Sequence, residues 1–198
     1  MNNIDLIKFE NSNYDKKILI IGVFHGDEPQ GEYFINSYLA QNKNIGKNAI
    51  YFIPRLNSNN MRQNKNMVDL NRNFPTKNWI LGEKNDYFGG NKPNSEIETQ
   101  FLVKLINENK FDAVITIHAP YKTVNYDGPA EDLADKISEI IGYPTSSDIG
   151  YATPGSFGTY CGKERFIPTI TIEIDEEEDI ETLNHKFHEL FDWLKNDF

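Results

Sequence analysis

The run Lys17-Ile18-Leu19-Ile20-Ile21-Gly22-Val23 is apolar and β-branched, with no polar alternation. A strand with one face in water alternates; an unbroken run suits a strand covered on both faces, as inside an α/β sheet. Ala49 to Ile53, Phe111 to Ile117 and Pro168 to Ile174 read the same way. Between them apolar residues recur at helical spacing. Glu28 to Gln41 carries Tyr33, Phe34, Tyr38 and Leu39. Ile97, Phe101, Leu102, Leu105 and Ile106 mark a second helix, Ala130 to Ile141 a third, and Ile180, Leu183, Phe187, Leu190, Phe191 and Leu194 a fourth. Strands alternating with helices predict an α/β fold built as a three-layer sandwich.

A chain of 198 residues suits one domain, and a single unit over 1–198 is expected. The net charge of −10 repels phosphate backbones, so nucleic acid is excluded as a partner. No stretch reaches the roughly 20 apolar residues that span a bilayer, so no membrane role is expected. The first residues lack a basic start followed by an apolar run, which points to the cytoplasm. The single cysteine, Cys161, permits no internal disulfide and reads as a small buried side chain rather than a catalytic thiol.

Three of the four strands run into residues suited to catalysis. The first leads to Phe24-His25-Gly26-Asp27-Glu28, the third ends at His118, and the fourth contains Glu173. A turn at a strand-to-helix junction brings an imidazole and a carboxylate three residues apart onto one ion. His25-x-x-Glu28 alone is also an ordinary acidic helix start. A second histidine at an equivalent strand end favours the metal. Two histidines, one carboxylate and an open position form the ligand set of a catalytic zinc site. Glu173 interrupts Ile170, Ile172 and Ile174 with a charge that burial penalises, which marks it as more than a strand residue. The Asn-, Gly- and Pro-rich stretch from Pro54 to Asn94 has little periodicity, as functional loops do.

These pieces resemble the zinc carboxypeptidase (funnelin) family. His25-Gly26-Asp27-Glu28, Met61-Arg62, Val68-Asp69-Leu70-Asn71-Arg72-Asn73-Phe74-Pro75, His118 and Thr171-Ile172-Glu173 follow the family's order. Within it, His118-Ala119-Pro120, Tyr126-Asp127-Gly128-Pro129 and Thr153-Pro154-Gly155-Ser156-Phe157-Gly158-Thr159 resemble the murein peptide amidase A group. Aspartoacylase and succinylglutamate desuccinylase relatives share the His-x-x-Glu and Asn-Arg pieces.

The resemblance implies a mixed, largely parallel sheet and one zinc per chain on His25, Glu28 and His118. It implies Glu173 as general base and then acid, and Arg62 as the group that steadies the oxyanion. Asn71 and Arg72 would grip a substrate carboxylate, a task that suits a guanidinium fork. Tyr151 would cap the substrate, with Tyr160 as the alternative. Asp127 would bind the far end of the substrate, against its plain reading as a turn former. The implied partner is a small peptide or acyl-amino-acid bearing a free carboxylate. The implied activity is hydrolysis of the γ-D-glutamyl–diaminopimelate bond of murein peptides. An N-acyl amino acid deacylase and a non-catalytic zinc-binding module are the alternatives. His185 and His188, three apart on the last helix, read as a surface pair. Cys161-Gly162-Lys163-Glu164 lacks the residues of a phosphate-binding loop.

Overall fold

The computed structural model describes residues 4–41 and 44–198. Its strands are β1 (Ile7–Phe9), β2 (Lys17–Ile21), β3 (Ala49–Ile53), β4 (Ala113–His118), β5 (Thr123–Asp127), β6 (Thr145–Ser146) and β7 (Thr169–Glu173). The helices are α1 (Gln30–Gln41), α2 (Ile97–Glu108), α3 (Glu131–Ile141) and α4 (Ile180–Asn196). One sheet of seven strands has the order β1-β3-β2-β4-β7-β5-β6. The four central strands are parallel, while β1 and β5 pair antiparallel with β3 and β7.

Side-chain alternation divides the interior into two cores. Ile18 and Ile20 of β2, Ile115 and Ile117 of β4, and Ile170 and Ile172 of β7 pack with Phe34, Ile137 and Phe187 from α1, α3 and α4. Phe34 and Phe187 stack with ring centroids 4.4 Å apart. Leu19, Ile21, Tyr51, Ile53 and Val114 face the other way, onto Leu102, Leu105 and Ile106 of α2 and onto Phe74 and Phe157. Helices on both faces of the sheet make the three-layer α/β sandwich that the strand pattern predicts.

The helix expected from Glu28 begins instead at Gln30. Glu28 precedes Pro29, whose ring disfavours helical geometry in the residue before it. The Tyr126-Asp127 pair, expected in a turn, closes β5, and the turn begins at Gly128 with φ +74°. Pro54 to Asn94 is irregular as expected, apart from a 3-10 turn at Leu70–Arg72. Asp179, from the acidic run before α4, caps that helix by accepting the Thr182 N–H at 2.8 Å. No helix among the described residues is long and apolar enough to cross a membrane.

Candidate metal centre

Strand order reverses between β2 and β4. β2 leads through α1 to β3 on one side, and β4 is flanked by β7 on the other. Ligand sites in open α/β sheets lie at such a reversal, beyond the carboxyl ends of the strands. His25 follows β2 and His118 is the last residue of β4. Glu173 ends β7 in register with His118, and the two side chains leave the sheet on the same face.

The His25–Glu28 turn is closed by the Glu28 N–H donating to the His25 carbonyl at 3.1 Å. Gly26 inside it donates its N–H to the Met61 carbonyl at 3.0 Å, and a Cβ there would lie 1.8 Å from the Asn59 carbonyl oxygen. Only glycine lets the 59–61 loop approach this closely, and that approach brings Arg62 to the turn.

Glu28 Oε1 lies 2.8 Å from His25 Nδ1, and Glu28 Oε2 lies 3.0 Å from His118 Nδ1. One ligand atom from each of the three falls within 4.8 Å of the others. Two imidazole nitrogens and a carboxylate, turned toward one point and nearly buried, match the donor set that zinc takes. The far nitrogen of His25, Nε2, meets Asp69 Oδ1 at 3.2 Å. Asp69 is fully buried; its other oxygen accepts from Arg62 Nε at 3.1 Å and Nη2 at 2.9 Å. Its Oδ1 also accepts the Asn71 N–H at 2.8 Å and so starts the 3-10 turn that presents Asn71 and Arg72.

The charges are strongly coupled. Burial alone pulls the His25 imidazolium down, but Asp69 and Glu28 together hold its pKa at about 9. Burial pushes the Glu28 carboxyl up, and the two histidines outweigh it and leave it well below the usual carboxylate range. Asp69 is likewise lowered, by His25 and Arg62 against its own burial. His118 is fully enclosed and its pKa is depressed. Glu173 is pushed up to about 8 by burial and then by the neighbouring Glu28, and its Oε2 is buried without a hydrogen-bond partner.

A cavity of about 700 Å³ joins these groups. His25, Glu28, Arg62, Asn71, Arg72, His118, Asp127, Tyr151 and Glu173, the residues marked in the sequence, all line it. Arg72 is 6% exposed, and its Nη1 donates to the Asn71 carbonyl at 2.7 Å. Asn71 Oδ1 accepts the Phe157 N–H at 2.9 Å, which leaves Nδ2 for the cavity. Tyr151 stands half-exposed at the mouth, its ring 6.3 Å from that of Tyr121. Tyr160 is enclosed in the core beside Phe74, which removes it as a cap. Cys161 is fully buried and its thiol pKa is raised, as a structural cysteine requires.

Three residues at the site escaped the sequence reading. Asp69 was part of the motif without a role. Tyr87 lies under the Arg62 guanidinium, 4.8 Å from ring centroid to Cζ. Lys163 pairs with Asp127 at 3.0 Å.

Comparison with known proteins accords with this geometry. The family model described as zinc carboxypeptidase matches residues 2–136. Murein peptide amidase A of Vibrio campbellii is 37% identical over 136 residues, covering 61% of this chain and 53% of that protein. Murein peptide amidase A of Escherichia coli K12 is 37% identical over 113 residues, covering 51% of this chain and 46% of that protein. The match thus spans about half the length of these curated relatives. The crystal structure of murein-tripeptide amidase MpaA from Escherichia coli O157 superposes with a TM-score of 0.82 at 26% identity, covering 96% of this chain and 84% of that one. Carboxypeptidase A from Helicoverpa armigera shares the fold, with a TM-score of 0.75 at 15% identity over 96% of this chain and 63% of that one. The chain belongs to the zinc carboxypeptidase family.

Proposed function

We propose that this protein is a zinc amidase that cleaves the γ-D-glutamyl–diaminopimelate bond of murein peptides. The observation that carries the reading is the register of β4 and β7. It sets Glu173, whose Oε2 has no hydrogen-bond partner, beside His118, in the same cavity as two arginines and the three metal donors. The names of the relatives supply the substrate class.

His25, Glu28 and His118 would hold the zinc. Bound there, zinc lowers the pKa of a water and polarises an amide carbonyl. Glu173 loses its proton when a cation occupies the neighbouring donor set, because opposite charge favours the carboxylate. As a carboxylate it takes a proton from the attacking water and then delivers it to the departing amine. The Arg62 guanidinium steadies the charge that develops on the carbonyl oxygen. Asn71 and Arg72 grip the carboxylate next to the scissile amide. In murein tripeptide, diaminopimelate is acylated on one amine and keeps the adjacent carboxylate free, so the same grip serves it. Tyr151 covers the substrate from the mouth of the cavity.

Mass-spectrometric assay of the zinc-loaded and chelator-treated protein tests the reading against murein tripeptide, C-terminal dipeptides and N-acyl amino acids. Zinc-dependent release of diaminopimelate is expected. Turnover of N-acyl amino acids alone would assign the chain to deacylation, and no turnover of any class would leave a zinc-binding module.

A further inference from the structure

β5 and β7 run antiparallel, with Thr123 opposite Glu173, Asn125 opposite Thr171 and Asp127 opposite Thr169. Alternate residues share a face, and Asn125, Asp127, Thr171 and Glu173 all line the cavity of the metal donors. Four residues of strand cover roughly 13 Å. A polar wall therefore leads from Glu173 to Asp127, long enough for a ligand whose two ends are chemically distinct.

Asp127 at the far end is already matched by a cation. Lys163 Nζ stands 3.0 Å from its Oδ1, and the lysine side chain is 58% exposed while that of the aspartate is 14% exposed. Lys163 closes the π-helical turn Thr159–Lys163, which lies against β5. A Cβ on Gly162 would fall 2.5 Å from Asp127 Cβ, and one on Gly158 would fall 2.0 Å from Asp127 Oδ2. The two glycines let the turn press close enough to set the ammonium on the carboxylate.

We propose that Asp127 and Lys163 together bind a zwitterionic α-amino-acid head at the distal end of the leaving amine, Asp127 taking its ammonium and Lys163 its carboxylate. The proposal rests on the amidase reading and deepens it. A lone carboxylate would accept any cationic side chain. A carboxylate matched by lysine does not, because a plain ammonium arriving there meets the like charge of Lys163. A zwitterion brings a carboxylate along with its ammonium, so four charges alternate and each finds a partner. The exposed lysine turns to the incoming carboxylate without leaving water. Lys163 thus selects a diamino-dicarboxylate and rejects lysine by repulsion as well as by a missing contact.

Calorimetric binding of meso-diaminopimelate and of lysine, each acetylated on the amine that the scissile amide would use so that only the distal end is a free head, tests this without turnover. The zinc-loaded Glu173→Gln protein serves as the parent. It is expected to prefer diaminopimelate by at least about tenfold, because a site built for polar partners rejects analogues that lack them. Adding Lys163→Met is expected to weaken diaminopimelate, strengthen lysine and bring the ratio toward one; Lys163→Arg should restore the preference. Equal binding of the two ligands by the parent overturns the proposal. So does a preference that survives Lys163→Met, or no binding of diaminopimelate at millimolar concentration. If the binding preference follows Lys163 but no murein tripeptide is cleaved by the wild type, the amidase reading fails and the zwitterion site stands.

Discussion

Asp69 Oδ1 stands 3.2 Å from Nε2 of His25, on the ring edge away from the Nδ1 that meets Glu28. A carboxylate on the outer nitrogen fixes the ring orientation and raises the basicity of the inner one. Asp69→Asn keeps the shape and a carbonyl acceptor but removes the charge. Zinc affinity is expected to fall by about 10–100-fold, measured by competition with a chromophoric chelator. Unchanged affinity would remove Asp69 from the support of the site.

The central strands and the convergence of His25, Glu28 and His118 were legible in the sequence for a physical reason. Strands buried on both faces leave continuous apolar runs, and His118 and Glu173 stand out because they end such runs in polarity. β5 was missed because it alternates over only five residues, Thr123 to Asp127, and runs directly into the Gly128-Pro129 turn. Asn125 and Asp127 belong to the site wall instead. β1 and β6, with three and two residues, are too short to carry a period. The role of Asp69 depends on contact with His25, 44 residues away, and no local pattern encodes that contact.

The pH dependence of metal uptake follows from the coupled charges. His25 is held at about 9 and Glu173 at about 8, so both carry protons at pH 7. Glu28 and His118 have lowered values and have none to lose there. A ligating imidazole must be unprotonated on the donor nitrogen, and a neighbouring cation favours the Glu173 carboxylate. Zinc uptake at pH 7 is therefore expected to release about two protons per ion, and apparent affinity to rise as pH rises toward 9. Calorimetry in buffers of different ionisation enthalpy counts the protons. Binding at pH 7 with no release would refute the charge assignment.

Gly162 is expected to resist substitution. A Cβ there meets the Asp127 backbone carbon and oxygen at 2.6 Å, and a paired strand has little room to yield. Gly162→Ala is expected to cost about 1–3 kcal/mol in denaturant unfolding. Gly82 has nothing within 4 Å of its would-be Cβ, so Gly82→Ala should stay within about 0.5 kcal/mol of wild type. Equal stability of the two variants would show that the turn shifts freely against β5.

Glu173→Gln separates the chemical role of this residue from its place in the fold. Glutamine is nearly isosteric and cannot take a proton, so kcat on the cleaved substrate is expected to fall by about 10²–10⁴-fold, while zinc still binds. Activity within about threefold of wild type would sink the general-base role, since proton transfer accounts for more than that. The same variant has a stability signature in zinc-depleted protein. The folded pKa of about 8 lies above the ordinary glutamate value of 4.5, so from pH 4.5 upward the unfolded chain releases this proton and the folded chain keeps it. Wild-type stability from this group is present below pH 4.5 and is lost progressively as pH rises to about 8. Glutamine carries no such penalty. The melting temperature of Glu173→Gln relative to wild type is therefore expected to climb across that window and level off above it. A difference that stays flat from pH 4.5 to 8 would mean that Glu173 is not held in its neutral form by burial and Glu28.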